Sequence, residues 1–369
     1  MSLNLRAEMA RPTFIIAEAG VNHNGDLRRA LAMVKAAAKA GADAIKFQSF
    51  HTDQLAAASA PLARYQARNT GSRGGQRAML RRLELSEEQQ TKLARVCRIA
   101  GIEFMSTPFD HDSAAFLVRK LEVKRLKVAS GELTNAPLLL AMARTKKPMI
   151  VSTGMATLAD IKTALGIIAF GYTAPHLAKP SRAAFADSYK SPKGKAALKK
   201  NITLLQCTTE YPTPPRDVNL RAMDTLAEAF DLPVGLSDHS QGIAIAIAAA
   251  ARGAGAIEKH FTLDRDLPGP DHAASLTVDE LVQMIAGIRT VEAAMGTGVK
   301  QPTRQERATM TVARKSLVAL GPIKRGETFT AANLGTKRPG NGLAPIEYWA
   351  MLGRRAKRAY ARDKQVKRR

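Results

Sequence analysis

Short apolar runs alternate with longer amphipathic stretches through most of this chain, and each apolar run ends in polar residues. The apolar runs are FIIAEAG (14–20), AIKFQ (44–48), EFMSTP (103–108), RLKVASGE (125–132), PMIVSTG (148–154), ITLLQCT (202–208), PVGLSDH (233–239) and AIEKHFT (256–262). Between the runs, apolar residues recur at three- and four-residue spacing, which predicts helices. One helix is expected from Asp26 to Lys39 with Gly41 at its end, and another after Ser86 with Gly101 at its end.

Eight strands that alternate with helices are typical of a (β/α)₈ barrel, also called a TIM barrel, which is an α/β fold. Further helices are expected near 111–120, 135–145, 157–170, 219–230, 241–253 and 277–294. Two connections are longer than a barrel requires. Residues 51–85 are expected to form an active-site loop, and residues 171–200 a surface insertion on the opposite face of the barrel.

The last part of the chain has a different pattern. The barrel units end near Gly296, so residues 1–296 are predicted to form the barrel domain and residues 297–312 a linker. Residues 313–369 combine short strands, turn residues and little helix, which indicates a small, mostly-β domain with a basic C-terminal tail. A core of this size gives little independent stability, so the small domain is expected to dock onto another surface.

The basic balance of the chain does not by itself indicate nucleic-acid binding. The formal net charge is +24, but residues 354–369 alone hold nine Lys or Arg and one Asp. No nucleic-acid-binding motif accompanies these charges. A generally basic surface is the simpler interpretation, and it would help to steer an anionic substrate. We therefore expect no nucleic-acid partner.

The sequence predicts a cytoplasmic protein with no membrane partner. Its first twelve residues lack the apolar segment of a secretory signal. The longest apolar stretch, 242–251, is shorter than the roughly 18 residues that a membrane span needs. Cys97 and Cys207 are too few and too far apart for a disulfide framework, so both are expected to be reduced thiols.

Polar residues at the strand ends are the candidates for chemistry, because the carboxyl ends of barrel strands converge on one active site. The residues expected to meet there are Glu18, Lys46, Gln48, Thr107, Lys127, Ser130, Glu132, Ser152, Ser237, His239 and His260. His239 and His260 end neighbouring predicted strands and could hold a divalent metal with open positions for substrate. The alternative for these two histidines is a polar rim whose hydrogen bonds are satisfied by other protein groups.

The acidic and basic strand-end residues also admit two interpretations. Glu18 and Glu132 suit general acid/base catalysis, or they form salt bridges with Lys46 and Lys127. The two interpretations are compatible. The two lysines stand beside several hydroxyls and glycine-containing turns, which is a combination suited to a phosphate or carboxylate ligand.

Ten ordered motifs resemble those of the bacterial sialic acid synthases over residues 13–358. The motifs are IIAEAGVNHNGD, IKFQSF, STPFD, KVASGE, STGMAT, CTTEYPTP, GLSDHS, EKHFTLD, PGPDH and KRPGNG. The resemblance implies a TIM barrel followed by a small SAF (antifreeze-like) domain, here at residues 313–358. It also implies the family's chemistry, a carbon–carbon bond-forming transfer that joins phosphoenolpyruvate to an N-acetylated amino sugar.

The resemblance assigns roles by position. The residues that match phosphoenolpyruvate-binding positions are Lys46, Thr107, Lys127, Ser130, Ser152 and Ser237, and those that match positions near the sugar are Gln48, Asn69, Tyr211 and Asp271. His239 and His260 match the two ligands of a divalent metal, Mn²⁺ or alternatively Mg²⁺ or Co²⁺. Glu18 and Glu132 match the acid/base carboxylates. Arg338 matches the arginine that family members insert into the partner subunit's barrel, which implies a domain-swapped homodimer.

The activity implied by the resemblance is a metal-dependent condensation of phosphoenolpyruvate, open-chain N-acetylmannosamine and water to give N-acetylneuraminate and phosphate. An alternative is the same chemistry on a 2,4-diacetamido-trideoxyhexose to give legionaminic or pseudaminic acid, because the insertion at 171–200 resembles that of members acting on such sugars. Two rival interpretations are a Schiff-base pyruvate aldolase with Lys46 or Lys127 as nucleophile and a non-catalytic carbohydrate-binding protein. The histidine pair and the dense reactive cluster argue against both.

One departure from the family pattern concerns the end of the chain. The family's SAF domain continues into an apolar strand and an acidic tail, whereas residues 354–369 are strongly basic here. This difference puts the last strand in doubt.

Overall fold

The computed structural model describes residues 12–70 and 75–367. The N-terminal stretch that was assessed for a secretory signal and part of the predicted loop at 51–85 lie outside them. Ten strands are present in the described residues: β1 Phe14–Gly20, β2 Ala44–Ser49, β3 Glu103–Pro108, β4 Leu126–Val128, β5 Met149–Ser152, β6 Ile202–Cys207, β7 Val234–Asp238, β8 Ala256–His260, β9 Ser316–Ala319 and β10 Leu334–Lys337.

The helices of the described residues lie between and after these strands. They are α1 Leu27–Ala40, α2 Thr52–Leu55, α3 Arg64–Thr70, α4 Gln76–Arg81, α5 Glu87–Ala100, α6 His111–Arg119, α7 Ala136–Arg144, α8 Leu158–Thr173, α9 Arg182–Lys190, α10 Pro192–Asn201, α11 Pro215–Val218, α12 Ala222–Phe230, α13 Ala244–Ala251, α14 Val278–Met295, α15 Arg304–Ala313 and α16 Tyr348–Met351. Among the described helices, none is both long and apolar enough to cross a membrane.

The first eight strands form a parallel sheet in the order β3-β2-β1-β8-β7-β6-β5-β4, with β3 and β4 also in contact. This cyclic order confirms the predicted TIM barrel. The register brings chemically active residues side by side. Glu18 lies opposite Lys46 on one side and His260 on the other, so three strand ends meet at this point.

The predicted helix ends are confirmed. The Asp26 side chain accepts hydrogen bonds from the backbone N–H groups at the start of α1, and Gly41 ends that helix at φ 86°. Ser86 forms a capping box with Gln89 at the start of α5, and Gly101 ends it at φ 72°. Glycine suits both ends because the left-handed backbone conformation costs it little.

Two segments differ from the expectation. The strand predicted at 125–132 is shorter, because Ser130–Glu132 turn into a 3₁₀ helix in which Glu132 N–H donates to Ala129 O. The insertion predicted at 171–200 contains two helices, α9 and α10, which are capped by Ser181 and Ser191. The caps were visible in the sequence, but these short helices are rich in polar and exposed residues and therefore show little periodicity.

Residues Thr297–Arg369 form a second compact unit. The predicted linker at 297–312 contains most of helix α15. Strands β9 and β10 pair in antiparallel fashion. The apolar core of this unit consists of Leu317, Ala319, Ile323, Phe329, Leu334, Met351, Ala356, Tyr360 and Val366.

The doubt about the last strand is confirmed, because the described part of the basic segment forms isolated bridges and no further strand. The basic segment pairs with β9 through an antiparallel bridge between Val318 and Gln365, and Val366 N–H donates to Leu317 O at 2.9 Å. Ala356, Tyr360 and Val366 of the tail belong to the core, and Val366 is fully buried. The many Lys and Arg residues between them are exposed, so the positive charge does not prevent packing.

Candidate active site

The interior of the barrel is built in layers. An apolar layer consists of Ile16, Ala44, Met105, Ile150, Leu205 and Ala256. Because side chains two positions apart on a strand share a face, the residues two positions further along must also point inward. These residues are Glu18, Lys46, Thr107, Ser152, Cys207 and Glu258, and all of them are buried. The strand pattern alone thus places a polar layer directly above the apolar one.

Lys46 is the centre of one half of the polar layer. Its Nζ lies 2.7 Å from Glu18 Oε2 and 3.8 Å from Glu258 Oε1. It also donates to Thr107 Oγ1 at 3.0 Å. The salt bridge that the sequence suggested between Glu18 and Lys46 is confirmed.

Lys127 occupies the other half. Its Nζ donates to Ser152 Oγ at 2.8 Å and lies 3.4 Å from Glu258 Oε1. Ser237 Oγ donates to the same Glu258 oxygen at 3.2 Å. Glu258 therefore joins the two lysines and a hydroxyl.

Burial and the neighbouring charges shift the pKa values of the four ionisable groups of this layer in different directions. These groups are Glu18, Lys46, Lys127 and Glu258. Burial raises the pKa of Glu18 to about 7, against the opposing effect of Lys46. Burial also acts to raise the pKa of Glu258, but Lys127 and Lys46 outweigh it and lower that pKa. Burial lowers the pKa of Lys127, whereas in Lys46 the same effect is overcome by Glu18 and Glu258, which raise its pKa. The site thus holds one ionised carboxylate and one that titrates near neutrality.

The two histidines stand side by side, with ring centroids 5.3 Å apart. The Nδ1 atom of His239 lies 2.7 Å from Thr208 O. This contact requires a proton on Nδ1, so Nε2 is the nitrogen that can bind a metal when the ring is neutral. Burial acts to lower the pKa of His239, but Cys207 and the contact with Thr208 O outweigh it and raise that pKa. Among the described residues, the buried Nδ1 atom of His260 has no hydrogen-bond partner, and it lies 3.8 Å from Asp271 Oδ2.

The histidines can be tested for their fit to a metal. Burial lowers the pKa of His260 well below its ordinary value, so that ring is neutral. A buried ring nitrogen without a hydrogen-bond partner and a neighbouring imidazole are donors that suit a divalent transition metal. Within residues 12–70 and 75–367, no group of three or more His, Cys, Asp or Glu side chains has metal-binding geometry. The residues therefore fit an ion held by two imidazoles, with its other positions open.

Space beside the histidines depends on Gly20. This residue has φ +51°, and a Cβ atom there would lie 3.2 Å from Glu18 Oε1 and 3.3 Å from His260 Cε1. A side chain at this position would press on a carboxylate and a candidate ligand together. The glycine in AEAG is therefore part of the site.

Aromatic residues form one wall next to the histidines. The Tyr211 ring lies 4.0 Å from the His239 ring and 5.6 Å from the His260 ring, measured between centroids. Tyr65, on helix α3 after β2, stacks on Tyr211 at 4.8 Å. The resemblance matched Tyr211 to a position near the sugar, but nothing in the sequence singled out Tyr65, because α3 is too short to show a clear helical period.

The other residues matched to the sugar lie nearby. Asp271 is buried, and burial raises the pKa of its carboxyl to about 6. Asn69 Nδ2 donates to Pro270 O at 2.7 Å, which ties its helix to the segment that carries Asp271. Gln48 is half-buried and lies opposite Thr107 in the strand register.

Glu132 and Ser130 lie on the 3₁₀ helix after β4. Glu132 is half-buried, burial raises the pKa of its carboxyl, and its Oε2 accepts from Asn135 Nδ2 at 2.7 Å. Ser130 Oγ accepts from Gly154 N at 3.0 Å. In the described part of the chain no ion pair joins Glu132 to Lys127, so the alternative salt bridge suggested for Glu132 is not present there.

Arg338 belongs to the second unit. Its Nε donates to Ala313 O at 2.9 Å, and its side chain stands next to the cis peptide bond Arg338–Pro339. Its role toward a partner subunit stays a prediction.

Sequence reasoning undervalued Glu258. The residues expected to meet at the strand ends did not include it, whereas its carboxylate joins both lysines. The signal was available, because Glu258 lies two positions before His260 on one strand and therefore faces the same way. Asn135 was not singled out, because its contact with Glu132 depends on the unforeseen 3₁₀ turn.

Comparisons with known proteins agree with this arrangement. The profile of the NeuB family matches residues 33–300, and that of the SAF domain matches residues 314–367. The N,N'-diacetyllegionaminic acid synthase of Campylobacter jejuni is 43% identical over 97% of this chain and 99% of its own length. The enzyme of the same name from Legionella pneumophila is 43% identical over 93% of this chain and 90% of its own length. The crystal structure of an N-acetylneuraminic acid (sialic acid) synthetase from Leptospira borgpetersenii superposes with a TM-score of 0.64 at 32% identity, covering 81% of this chain and 90% of that chain.

Proposed function

Because this chain belongs to the NeuB family, we propose that it condenses phosphoenolpyruvate with a 2,4-diacetamido-2,4,6-trideoxyhexose and water, giving a legionaminic acid and phosphate. Sequence analysis favoured N-acetylmannosamine and kept the diacetamido sugar as the alternative. The comparisons support the alternative better, since the two legionaminic acid synthases are 43% identical to this chain and the sialic acid synthetase of known structure is 32% identical.

The observation that carries the proposal is the pair of buried ammonium groups, Lys46 and Lys127, which share the ionised carboxylate of Glu258. Two buried cations with one firmly ionised partner favour an incoming anion. The hydroxyls of Thr107 and Ser152 stand beside them and are suited to bind its oxygens. Phosphoenolpyruvate carries both a phosphate and a carboxylate, so it suits this part of the site.

The proposed reaction forms one carbon–carbon bond and one carbon–oxygen bond to water, and it breaks the carbon–oxygen bond to phosphate. C3 of phosphoenolpyruvate bonds to the aldehyde carbon of the sugar, and a water oxygen adds to C2. The C2–O bond to phosphate then breaks, and inorganic phosphate leaves. The added water gives up both of its protons, one to the new alkoxide and one to the departing phosphate, and C2 becomes a ketone.

Carboxyl groups of the site handle these two protons. Glu18 has a pKa of about 7 and can therefore hold or release a proton at neutral pH. Glu132 also has a raised pKa, and its contact with Asn135 fixes the position of one oxygen. Holding both substrates in one barrel lowers the entropic part of the barrier.

His239 and His260 would hold a divalent metal, for which Mn²⁺ is the first choice and Mg²⁺ or Co²⁺ are alternatives. Such an ion would supply Lewis-acid polarisation of the sugar carbonyl. The histidines lie between the aromatic wall and Asp271. We therefore expect the sugar to bind beside the aromatic wall with its carbonyl toward the histidines.

The aromatic wall supports a deoxygenated sugar. Stacked Tyr65 and Tyr211 present an apolar face with polar edges. A methyl group at C6 and an additional acetamido group make contacts with such a face that a hydroxymethyl group makes less well. The sugar would be oriented by Gln48, Asn69 and Asp271.

A phosphate-release screen tests the proposal. Phosphoenolpyruvate is offered with N-acetylmannosamine, with its 6-phosphate, and with 2,4-diacetamido-2,4,6-trideoxyhexoses, each with and without Mn²⁺. We expect release with a diacetamido sugar and little with the other two. Release with N-acetylmannosamine alone would contradict the proposed substrate, and release with none would contradict the proposed reaction.

The aldolase interpretation has one observation in its favour, the lowered pKa of Lys127. Borohydride reduction in the presence of pyruvate distinguishes a Schiff-base aldolase from the proposed synthase. A Schiff-base enzyme gains the mass of the reduced adduct on Lys127. For the proposed synthase, we expect no adduct.

A further inference from the structure

A groove on the outer face of the barrel takes no part in the site described above. It lies where α7, α8 and α9 come together, and its volume is about 520 Å³, which falls among small-molecule sites of roughly 300–1,000 Å³. Its apolar lining includes Leu133, Ile167, Phe185 and Tyr189. Gly166 lets α9 approach closely, since a Cβ atom there would lie 2.9 Å from Phe185 O.

Positive charge surrounds this groove. Lys162, Arg182 and Lys190 line it and are exposed. Lys162 Nζ lies 5.7 Å from the centre of the Tyr189 ring. In the part of the chain that the structure describes, Arg182 and Lys190 make no ion pair.

One carboxylate lines the groove as well, but it is already engaged. Asp160 Oδ2 accepts from Thr157 N at 2.9 Å and from Thr157 Oγ1 at 2.7 Å, as part of the capping box of α8. These contacts lower the pKa of Asp160 and keep it ionised. Three cations against one engaged carboxylate leave the rim positive.

We propose that this groove is a second binding site, for an amphipathic organic anion. An aromatic or acyl body would fill the apolar part, and a carboxylate, sulfonate or phosphate group would face the rim cations. Removal of the apolar body from water drives binding. The cations select an anion over a neutral or positively charged molecule of the same shape.

The groove also adjoins the segment that carries Glu132. Leu133, Thr134 and Ala136 line it, and Asn135 in the same segment holds Glu132. An occupant packs against residues on both sides of Asn135, so we expect it to change turnover. This expectation rests on the proposed function, whereas the binding site does not.

The test uses two fluorescent probes on the full chain: anilinonaphthalene sulfonate, an amphipathic anion, and phenylnaphthylamine, its neutral relative. Ala186→Trp fills the groove, and Ala183→Trp on the same helix is the matched control outside it. Arg182→Gln with Lys190→Gln removes rim charge, and Lys195→Gln is the control for an exposed cation. All these positions are exposed, so folding should be unaffected.

We expect Ala186→Trp to weaken the binding of both probes by on the order of tenfold, because the indole occupies their space. The variant with both Arg182→Gln and Lys190→Gln should bind anilinonaphthalene sulfonate about threefold more weakly, since exposed charges contribute modestly to binding. Its binding of phenylnaphthylamine should not change. The two controls should bind like the wild type. Equal binding by all variants would overturn the proposed site.

Turnover and sedimentation measurements test the proposal further. Saturating anilinonaphthalene sulfonate should change the turnover of the wild type but not that of Ala186→Trp. If the probe binds the wild type and its turnover stays the same, the link between the groove and Glu132 is wrong. If neither probe binds and Ala186→Trp alters the sedimentation of the protein, a second copy covers the groove and the anion site is wrong. An inactive protein that still shows the expected probe pattern would count against the proposed function only.

Discussion

Glu258 governs the charge balance of the candidate active site. Its Oε1 lies within 3.8 Å of both lysine Nζ atoms and accepts from Ser237. The lysines keep its pKa low, while Glu18 titrates near neutrality. One carboxylate is thus suited to balancing charge and the other to holding a proton, although both are buried in the same layer.

Removal of either histidine tests the proposed metal ligands. His239→Ala and His260→Ala should each lower turnover by a factor on the order of 10² or more, because each removes one ligand of a Lewis acid. Metal content, measured after chelation and reloading, should fall with activity. His176→Ala, an exposed position, is the control. Normal metal content in both histidine variants would contradict the two-imidazole site.

Glu132→Gln tests the acid/base assignment. Burial raises the pKa of Glu132. If the carboxylate is the base, wild-type turnover falls as the pH drops through this raised pKa, because the group becomes protonated. We expect the variant to bind phosphoenolpyruvate normally, to turn over about 10²–10⁴ times more slowly, and to lose this acid limb. An unchanged pH profile would assign the base to Glu18 instead.

Strands β7 and β8 are joined behind the histidines by a fully buried ion pair. Lys259 Nζ lies 2.7 Å from Asp238 Oδ2, and Asp238 Oδ1 accepts from Ser240 N and Oγ. Both charged residues directly neighbour a candidate metal ligand in sequence, and they face away from the barrel interior. The pair therefore helps to fix the positions of His239 and His260.

Lys259→Met should destabilise the barrel by roughly 3–5 kcal/mol, because it leaves the buried Asp238 carboxylate without its cation. The double variant with Asp238→Leu should recover part of that loss, since no charge is then left unpaired. Denaturant midpoints of the two variants measure the difference. Equal midpoints would show that the ion pair does not hold the two strands together.

At the scale of the whole molecule, the chain consists of two compact units, each with its own apolar core. The barrel unit holds every candidate site residue except Arg338. Arg338 is expected to act on the barrel of a partner subunit. The proposed assembly is therefore a domain-swapped homodimer.

Co-expression of two inactive variants tests that assembly. Arg338→Ala and His239→Ala chains should each be nearly inactive alone. In a domain-swapped heterodimer, the intact barrel of the Arg338→Ala chain receives the intact arginine of its partner, so one site per dimer should recover activity. Heterodimers that form without any recovery would count against the swap.

The barrel and its polar layer follow from the sequence alone. The two-residue period of strands places Glu18 above Ile16 and Lys46 above Ala44, and the caps at Asp26 and Ser86 define helices. These signals are local, so no knowledge of the folded chain is required. The family and the SAF domain were also identified from ordered motifs, and the comparisons confirm both.

The tertiary structure alone decided which of these residues meet. Glu258 joins Lys46 to Lys127 across three strands, Tyr65 of α3 stacks on Tyr211, and the groove between α7, α8 and α9 depends on how helices pack. Each of these contacts joins residues far apart in the sequence. Local periodicity states which way a side chain faces, but only the closed barrel determines its neighbours, because strand register and helix packing are set by the chain as a whole.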